Sequence, residues 1–509
     1  MGYFAAPAQI TPQAMQNFIV SDKDMETADV KFATQVKELY ARLNYATAWV
    51  QKENSTNRDI FFNALSLSAR MGLQEKDYQF NYITSFKKGT LGLQNSYDSV
   101  QADIHITDAA LHFYNDITYG NTKPVFGYNG LKDVTACKNI ALLLAEYILQ
   151  NKLQVLPGYL SVALPEVGAL QNKIQSFQNK TLENNFAEVS ITSAKVNSSN
   201  KALRIKLYQL GIIDSVDKII ADTTLKQKLK EAQRQFNLLA DGVLRSTILQ
   251  ELNVPLAVRL QQLTLAINYY RWLNCLTQKE AAIVVNIPAT YLKVYRNNKV
   301  LLEMRIVVGK KITPTPTLAS TIDEVILYPY WHVPKSIAVK ELLPAIKRNL
   351  AFVDAGSYQI LNSAGKIMDP YAINWHALSR NYFPYTIRQS TGCDNALGLL
   401  KLNFYNPFGV YLHDTPNKNF FSMNKRYFSH GCMRMQKPME LGHLVLKNNA
   451  IAIDTLEQKG CLRNQSPVTV HADVHMPVIV WYNLAGIDST GRVLFFEDVY
   501  GKFEWMRSK

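Results

Sequence analysis

Cysteine is scarce in this chain: five residues in 509, at positions 137, 275, 393, 432 and 461. No two form a CxxC pair, so neither a zinc ribbon nor a dithiol redox motif is available. An odd count leaves at least one thiol free. No apolar run approaches the roughly 18 residues of a membrane-spanning helix. Met1 to Val20 lacks the basic n-region and apolar core of a secretory leader. Lys and Arg outnumber Asp and Glu by 55 to 41, a formal charge of +14. They form no polybasic block and no nucleic-acid motif, so no nucleic-acid partner is expected. A Gly-rich phosphate loop, a zinc-peptidase HExxH and a GxSxG serine elbow are all missing. No metal and no cofactor are expected.

What is present describes a globular chain, 47% hydrophobic and 19% charged. Its length suits about three domains. The positive excess suits an acidic partner or simple solubility. Residues 1–22 read as a loose lead-in. Up to about residue 150 the pattern is helical, with Val36, Leu39, Tyr40 and Leu43 at helical spacing. Thr107 and Asp108 look like a helix start. Residues 176–200, rich in Asn, Ser and Thr, read as a linker. Residues 198–255 read as a compact helical unit turning at Asp241-Gly242, with Thr247 opening its last helix. Leu256, Leu260, Leu263, Ile267 and Tyr270 then form one face of a long helix. At about Ala281 the period changes to alternation, and Asn297-Asn298 suits a tight hairpin. From about 320 to 392 prolines and aromatic rings break the strand pattern, with a helix near 336–348. Strands resume with ALGLLKLNFYN and YLHDTP. VHMPVIVWYNLAGID and RVLFFEDVY read as a closing hairpin. The boundaries are therefore 1–197 (helical), 198–255 (three-helix unit), 256–277 (long helix) and 278–509 (β-rich), an α+β chain.

The chemistry concentrates in YFSHGCMRM, Tyr427 to Met435. A thiol is intrinsically nucleophilic, and an imidazole can take its proton and return it to a leaving amine. Cys432 has His430 two residues before it and His413 upstream. Gly431 lets the backbone approach a substrate and can place amide donors beside the nucleophile. Most free cysteines are inert small hydrophobes; the Ser-His-Gly flank sets this one apart. Cys393, in STGCDNALG, is the competing nucleophile and has no nearby histidine.

His413, Ser429, His430, Gly431, Cys432, Met433 and Arg434 resemble the signature of the L,D-transpeptidases of bacterial cell-wall synthesis. VNIPATYLKVY and RIVVGK resemble the start of their catalytic domain, a β-rich sandwich. LYARLNYATAWV and NYYRWL resemble the scaffold of the large YcbB-like members, and YPYWHVPKSIAVKELLP resembles their capping subdomain. Residues 198–255 resemble a small peptidoglycan-binding module inserted in that scaffold.

The resemblance implies that Cys432 attacks the diaminopimelate–D-Ala bond of a donor tetrapeptide stem. His413 is the base, oriented by a third group such as the Asp414 carbonyl. Amides near Gly431 and Cys432 hold the oxyanion, while His430 and Ser429 shape the site. A side-chain amine of an acceptor stem resolves the thioester into a 3→3 cross-link. Arg434, Tyr405, Asn403, Trp331 and Trp375 are candidate substrate contacts. The aromatic insertion reads as its own small core or as a lid over the site. Peptidoglycan stems and glycan are the implied partners, carbapenem-type β-lactams the implied covalent inhibitors, and the periplasm the implied location. A trimmed leader would reconcile that location with Met1 to Val20. Two other classes remain open: a carboxypeptidase or endopeptidase using water on the same stems, and a non-catalytic wall-binding protein.

Overall fold

The computed structural model describes residues 8–131, 136–217 and 220–506. Of the lead-in expected to be loose, residues 1–7 lie outside that range. Pro12–Val20 is a helix capped by the Thr11 hydroxyl, with Met15, Phe18 and Ile19 buried. Thr107 and Asp108 do not start a helix. They lie within Ser96–Tyr119, which begins instead at an Asn95 cap. Their polarity serves tertiary contacts. Thr107 Oγ1 accepts from the Trp49 indole at 2.9 Å, and the buried Asp103 carboxylate accepts from the Ala48, Trp49 and Val50 amides. Buried polar groups in a helix are tolerated when so paired. The helix Pro165–Thr181 runs past the expected start of the linker.

The three-helix unit consists of Lys201–Gln209, Asp222–Gln235 and Ser246–Leu252. Its turn is held by Gln233, which donates to Asp241 and accepts from the Gly242 amide. The long helix runs Leu256–Lys279, farther than expected. One core joins these helices to the β-rich half. Leu170, Ile174, Leu229, Phe236, Leu263 and Ile267 pack in the same cluster as Val284, Tyr295, Trp481 and Phe495.

The β-rich half begins with β2 (Ala282–Asn286), β3 (Tyr291–Arg296) and β4 (Lys299–Gly309). The β3–β4 hairpin turns on Asn297 and Asn298, at φ of 50° and 57°, as a type I′ turn requires. Then come β5 (Leu318–Leu327), β10 (Leu400–Phe404), β11 (Leu412–His413), β12 (Tyr427–Ser429), β13 (Met433–Met435), β14 (Val468–His471) and β15 (Pro477–Trp481). A two-residue strand from the helical half, β1 (Tyr128–Asn129), joins the edge beside β5. The order is β1-β5-β10-β11-β13-β4-β3-β2-β15, and β15 also pairs with β5. The path therefore closes on itself around Ile283, Val285, Leu292, Ile306, Val325, Leu412 and Met433.

Two expectations change here. The strand pattern does not break at 320: β5 continues to Leu327 in register with β10. VIVW is not half of a closing hairpin. It lies in β15 between β2 and β5, and the hairpin is the shorter β16 (Ala485–Ile487) with β17 (Val493–Phe495). Residues 328–392 carry a sheet of their own, ordered β6 (Trp331–His332), β9 (Thr386–Gln389), β7 (Tyr358–Leu361), β8 (Ile367–Met368). Its core holds Val333, Leu342, Ile346, Ile360, Phe383 and Ile387, and the helical run 335–348 includes a π-helical stretch, Ala338–Leu342.

Candidate active site

Alternation along three neighbouring strands builds the site. Leu400, Leu402, Leu412, Met433 and Met435 point into the β core and are fully buried. Their neighbours therefore face the other way. On that outer face, His413 stands opposite Lys401 of β10 on one side and Arg434 of β13 on the other. Tyr411, two residues before His413, shares the face, with ring centroids 5.6 Å apart. The Met433 amide donates to the Tyr411 carbonyl at 3.0 Å, which places Cys432 beside Tyr411.

His413 is buried, and its Nδ1 lies 2.5 Å from the Asp414 carbonyl oxygen. A carbonyl only accepts, so Nδ1 carries the proton and Nε2 presents its lone pair. Burial, then the Arg434 charge, pull the imidazole down to about 3, with Lys401 adding to this and the Asp414 carbonyl opposing it. Burial pushes the Cys432 thiol up. The Tyr411 amide and hydroxyl, then Lys401 and Arg434, pull it back. The resting pair is therefore a thiol and a neutral imidazole. Lys401 is lowered by its own burial, with Cys432 and Glu324 acting the other way, and its ammonium sits 4.1 Å from the Tyr411 ring centroid.

The signature loop is held from within. Gly431 has φ of +122°, a conformation that side chains disfavour. The Ser429 hydroxyl accepts from the Gly431 amide at 3.1 Å and donates to the Cys432 carbonyl at 2.6 Å. The Gly431 amide is therefore engaged within the loop, whereas the Cys432 amide has no partner among the described residues. His430 turns outward, its Nε2 2.7 Å from Glu341 in the π-helical stretch. The Asp414 carboxylate accepts from the Leu399 amide and pairs with Lys418. It therefore pins the loop while the carbonyl orients His413.

The substrate candidates separate. Arg434 stays in the cluster, its buried Nε without a hydrogen-bond partner among the described residues and its guanidinium 5.5 Å from the Phe420 ring. Trp331 lies close enough to the Tyr411 side chain to act on it, and so borders the site. Asn403 lies on the same face, but its amide donates to Glu324 at 2.5 Å. Tyr405 is excluded from the cluster. It lies past a register shift in β10 and packs on Tyr128 at 5.7 Å. Trp375 is also excluded: it is buried in the core of 328–392, and its indole donates to the Pro370 carbonyl. Cys393 is bonded to Cys461 and Cys137 to Cys275, leaving Cys432 as the free thiol among the described residues. Two neighbours of the thiol were missed. Tyr411 was legible as the residue two before His413 on the same strand face. Lys401 follows only from the β10–β11 register.

Residues 280–464 match the family model of the L,D-transpeptidase catalytic domain. This stretch is an L,D-transpeptidase catalytic domain. Residues 34–171 match the scaffold domain, and the pair gives the chain the YcbB-like L,D-transpeptidase architecture. A Haemophilus influenzae protein named "Putative L,D-transpeptidase" is 32% identical over 237 residues, 47% of each chain. The chain thus spans about half the length of that curated relative. Among solved structures, an L,D-transpeptidase from Stackebrandtia nassauensis is 13% identical over 58% of this chain and 98% of its own, with a TM-score of 0.21. One from Mycobacterium smegmatis is 17% identical over 40% of this chain and 58% of its own, with a TM-score of 0.18. No single helix among the described residues is long and apolar enough to cross a membrane.

Proposed function

We propose that the chain is a peptidoglycan L,D-transpeptidase, with Cys432 as nucleophile and His413 as base. The observation that carries this reading is the outer face of β10, β11 and β13. There a free thiol lies beside Tyr411, one residue before the strand whose Arg434 faces an imidazole with its Nε2 lone pair available. In the first half-reaction, the Cys432 sulfur bonds to the carbonyl carbon between diaminopimelate and D-Ala. The amide C–N bond breaks, and the thiol proton passes through His413 to the departing D-Ala amine. In the second, a side-chain amine of an acceptor stem attacks the thioester and the thiol is restored, giving a 3→3 cross-link. The Cys432 amide and the Tyr411 hydroxyl would hold the oxyanion. Arg434 would take a stem carboxylate, since a guanidinium binds one bidentately. Trp331 would close the side toward 328–392. The three-helix unit would hold the wall, and the reaction would proceed in the periplasm.

Incubation with a carbapenem tests the site. The expected outcome is a stable covalent mass on the wild-type chain that is absent from Cys432→Ala. An adduct that survives in Cys432→Ala removes the proposal. Product analysis on tetrapeptide stems, with and without an acceptor stem, then separates cross-linking from hydrolysis.

A further inference from the structure

A cavity of about 110 Å³ opens where the long helix meets β2, β3, β4, β15 and the β16–β17 hairpin. None of its lining residues belongs to the Cys432 cluster. Its wall is aromatic: Tyr270, Tyr291, Tyr295, Trp481 and Phe496. Trp481 is 1% exposed, and its indole Nε1 has no hydrogen-bond partner among the described residues. A buried donor left unpaired costs free energy that a ligand acceptor would relieve. Gly486 keeps the space open, since a Cβ there would lie 3.1 Å from the Tyr270 hydroxyl.

The charges exclude an anion. Lys293 is the cation of the lining, and its ammonium already lies 3.2 Å from Glu166, with Glu303 at 3.8 Å. Glu303 and Asp488 also line the cavity, and the Asp488 carboxylate is engaged by the Thr490 and Arg492 amides of the hairpin turn. An anionic ligand would meet carboxylates and no free positive charge. The occupant that fits is neutral, offers a carbonyl to the indole N–H, and presents apolar C–H faces to aromatic rings. An acetamido group meets all three conditions. Its carbonyl would face the Trp481 indole and its N–H the acidic rim, with the sugar ring across the mouth.

We propose that this cavity is a subsite for an N-acetylated hexosamine of a glycan strand. It rests on the peptidoglycan reading above and deepens it, by giving the scaffold–catalytic seam a hold on the glycan while Cys432 works on the stems. The test titrates the full chain with a β-1,4 tetramer of N-acetylglucosamine, and with cellotetraose as the neutral control lacking acetamido groups. The expected result is a shift of the Trp481 indole N–H resonance with the acetylated tetramer alone. Affinity should be about tenfold weaker in Trp481→Phe, which keeps an aromatic ring and removes the donor. Leu494→Trp, which narrows the mouth without touching the donor, should weaken it as well. An unmoved Trp481 resonance, equal affinity for cellotetraose, or unchanged affinity in both variants overturns the proposal. So does a shift produced by a sugar-free stem peptide. Carbapenem acylation of the wild-type chain is read in parallel. Acylation without a saccharide response sinks the subsite alone, and a saccharide response without acylation sinks the catalytic reading alone.

Discussion

Gly431 has the left-handed φ that turns the chain between His430 and Cys432. A Cβ there would find ordinary contacts at 3.5 Å, so the obstacle to a side chain is conformational rather than steric crowding. Gly431→Ala should destabilise by roughly 1–3 kcal/mol. It should also slow carbapenem acylation by roughly 100-fold, because the Cys432 amide would leave its position as an oxyanion donor. Denaturant melts and the acylation rate report the two effects separately. At His413 the sign of the pH dependence follows from burial. Its folded value, about 3, lies below the ordinary 6.5. The unfolded chain therefore binds the proton first. The contribution of His413 to stability is whole above about 6.5 and erodes as pH falls toward about 3. In the proposed reaction His413 stays available as a base down to about pH 4, while the thiol, raised above its ordinary 9.0, stays protonated. The acylation rate should be flat between about pH 5 and 8. A climb of about tenfold per pH unit across that window would mean that a preformed thiolate attacks instead.

At the scale of elements, three short strands bring the cluster together, and the segment 328–392 borders it at several points, two of which bear on access to Cys432. One is Trp331 on Tyr411; the other is His430 on Glu341. The second is an exposed pair, with side chains 35% and 52% accessible. Such pairs are worth about 0–1 kcal/mol, enough to bias the position of the segment and too little to lock it. Glu341→Gln should therefore change the acylation rate by less than about fivefold. A change beyond about 100-fold would show that this contact governs access to Cys432.

For the whole molecule, the Cys137–Cys275 bond ties the segment after β1 to the long helix across 138 residues. Cross-linking so large a loop restricts the unfolded chain, typically by about 2–5 kcal/mol. Cys137→Ser with Cys275→Ser should lower the thermal midpoint by several degrees, yet leave carbapenem acylation at 25 °C within about twofold of wild type. Scanning calorimetry and the acylation rate check the two halves of that expectation. Loss of acylation in the folded double variant would mean that the scaffold shapes the site directly.

Local chemistry alone made part of this protein legible. The Asn-Asn hairpin, the long apolar-faced helix and the Ser-His-Gly-Cys loop are short-range patterns, in which turn preference, 3.6-residue spacing and linked residue types act within a few positions. The α+β class was readable in the change of period at about Ala281, and the L,D-transpeptidase domain through the resemblance of its motifs, expected over 278–509 and matched over 280–464. Long-range pairing decided the rest. Thr107 and Asp108 resemble a helix start until Trp49 and Phe32 arrive from elsewhere to take their oxygens. Trp375 and Tyr405 carry the right chemistry for a substrate, but the fold places one in a core and the other beyond a register shift. Lys401 reaches Cys432 only because β10 pairs with β11 in one register. The cysteine pairing that leaves Cys432 free joins residues 138 and 68 positions apart. None of these contacts is encoded within a window of neighbouring residues. Each exists because strands and helices distant in sequence share one buried surface.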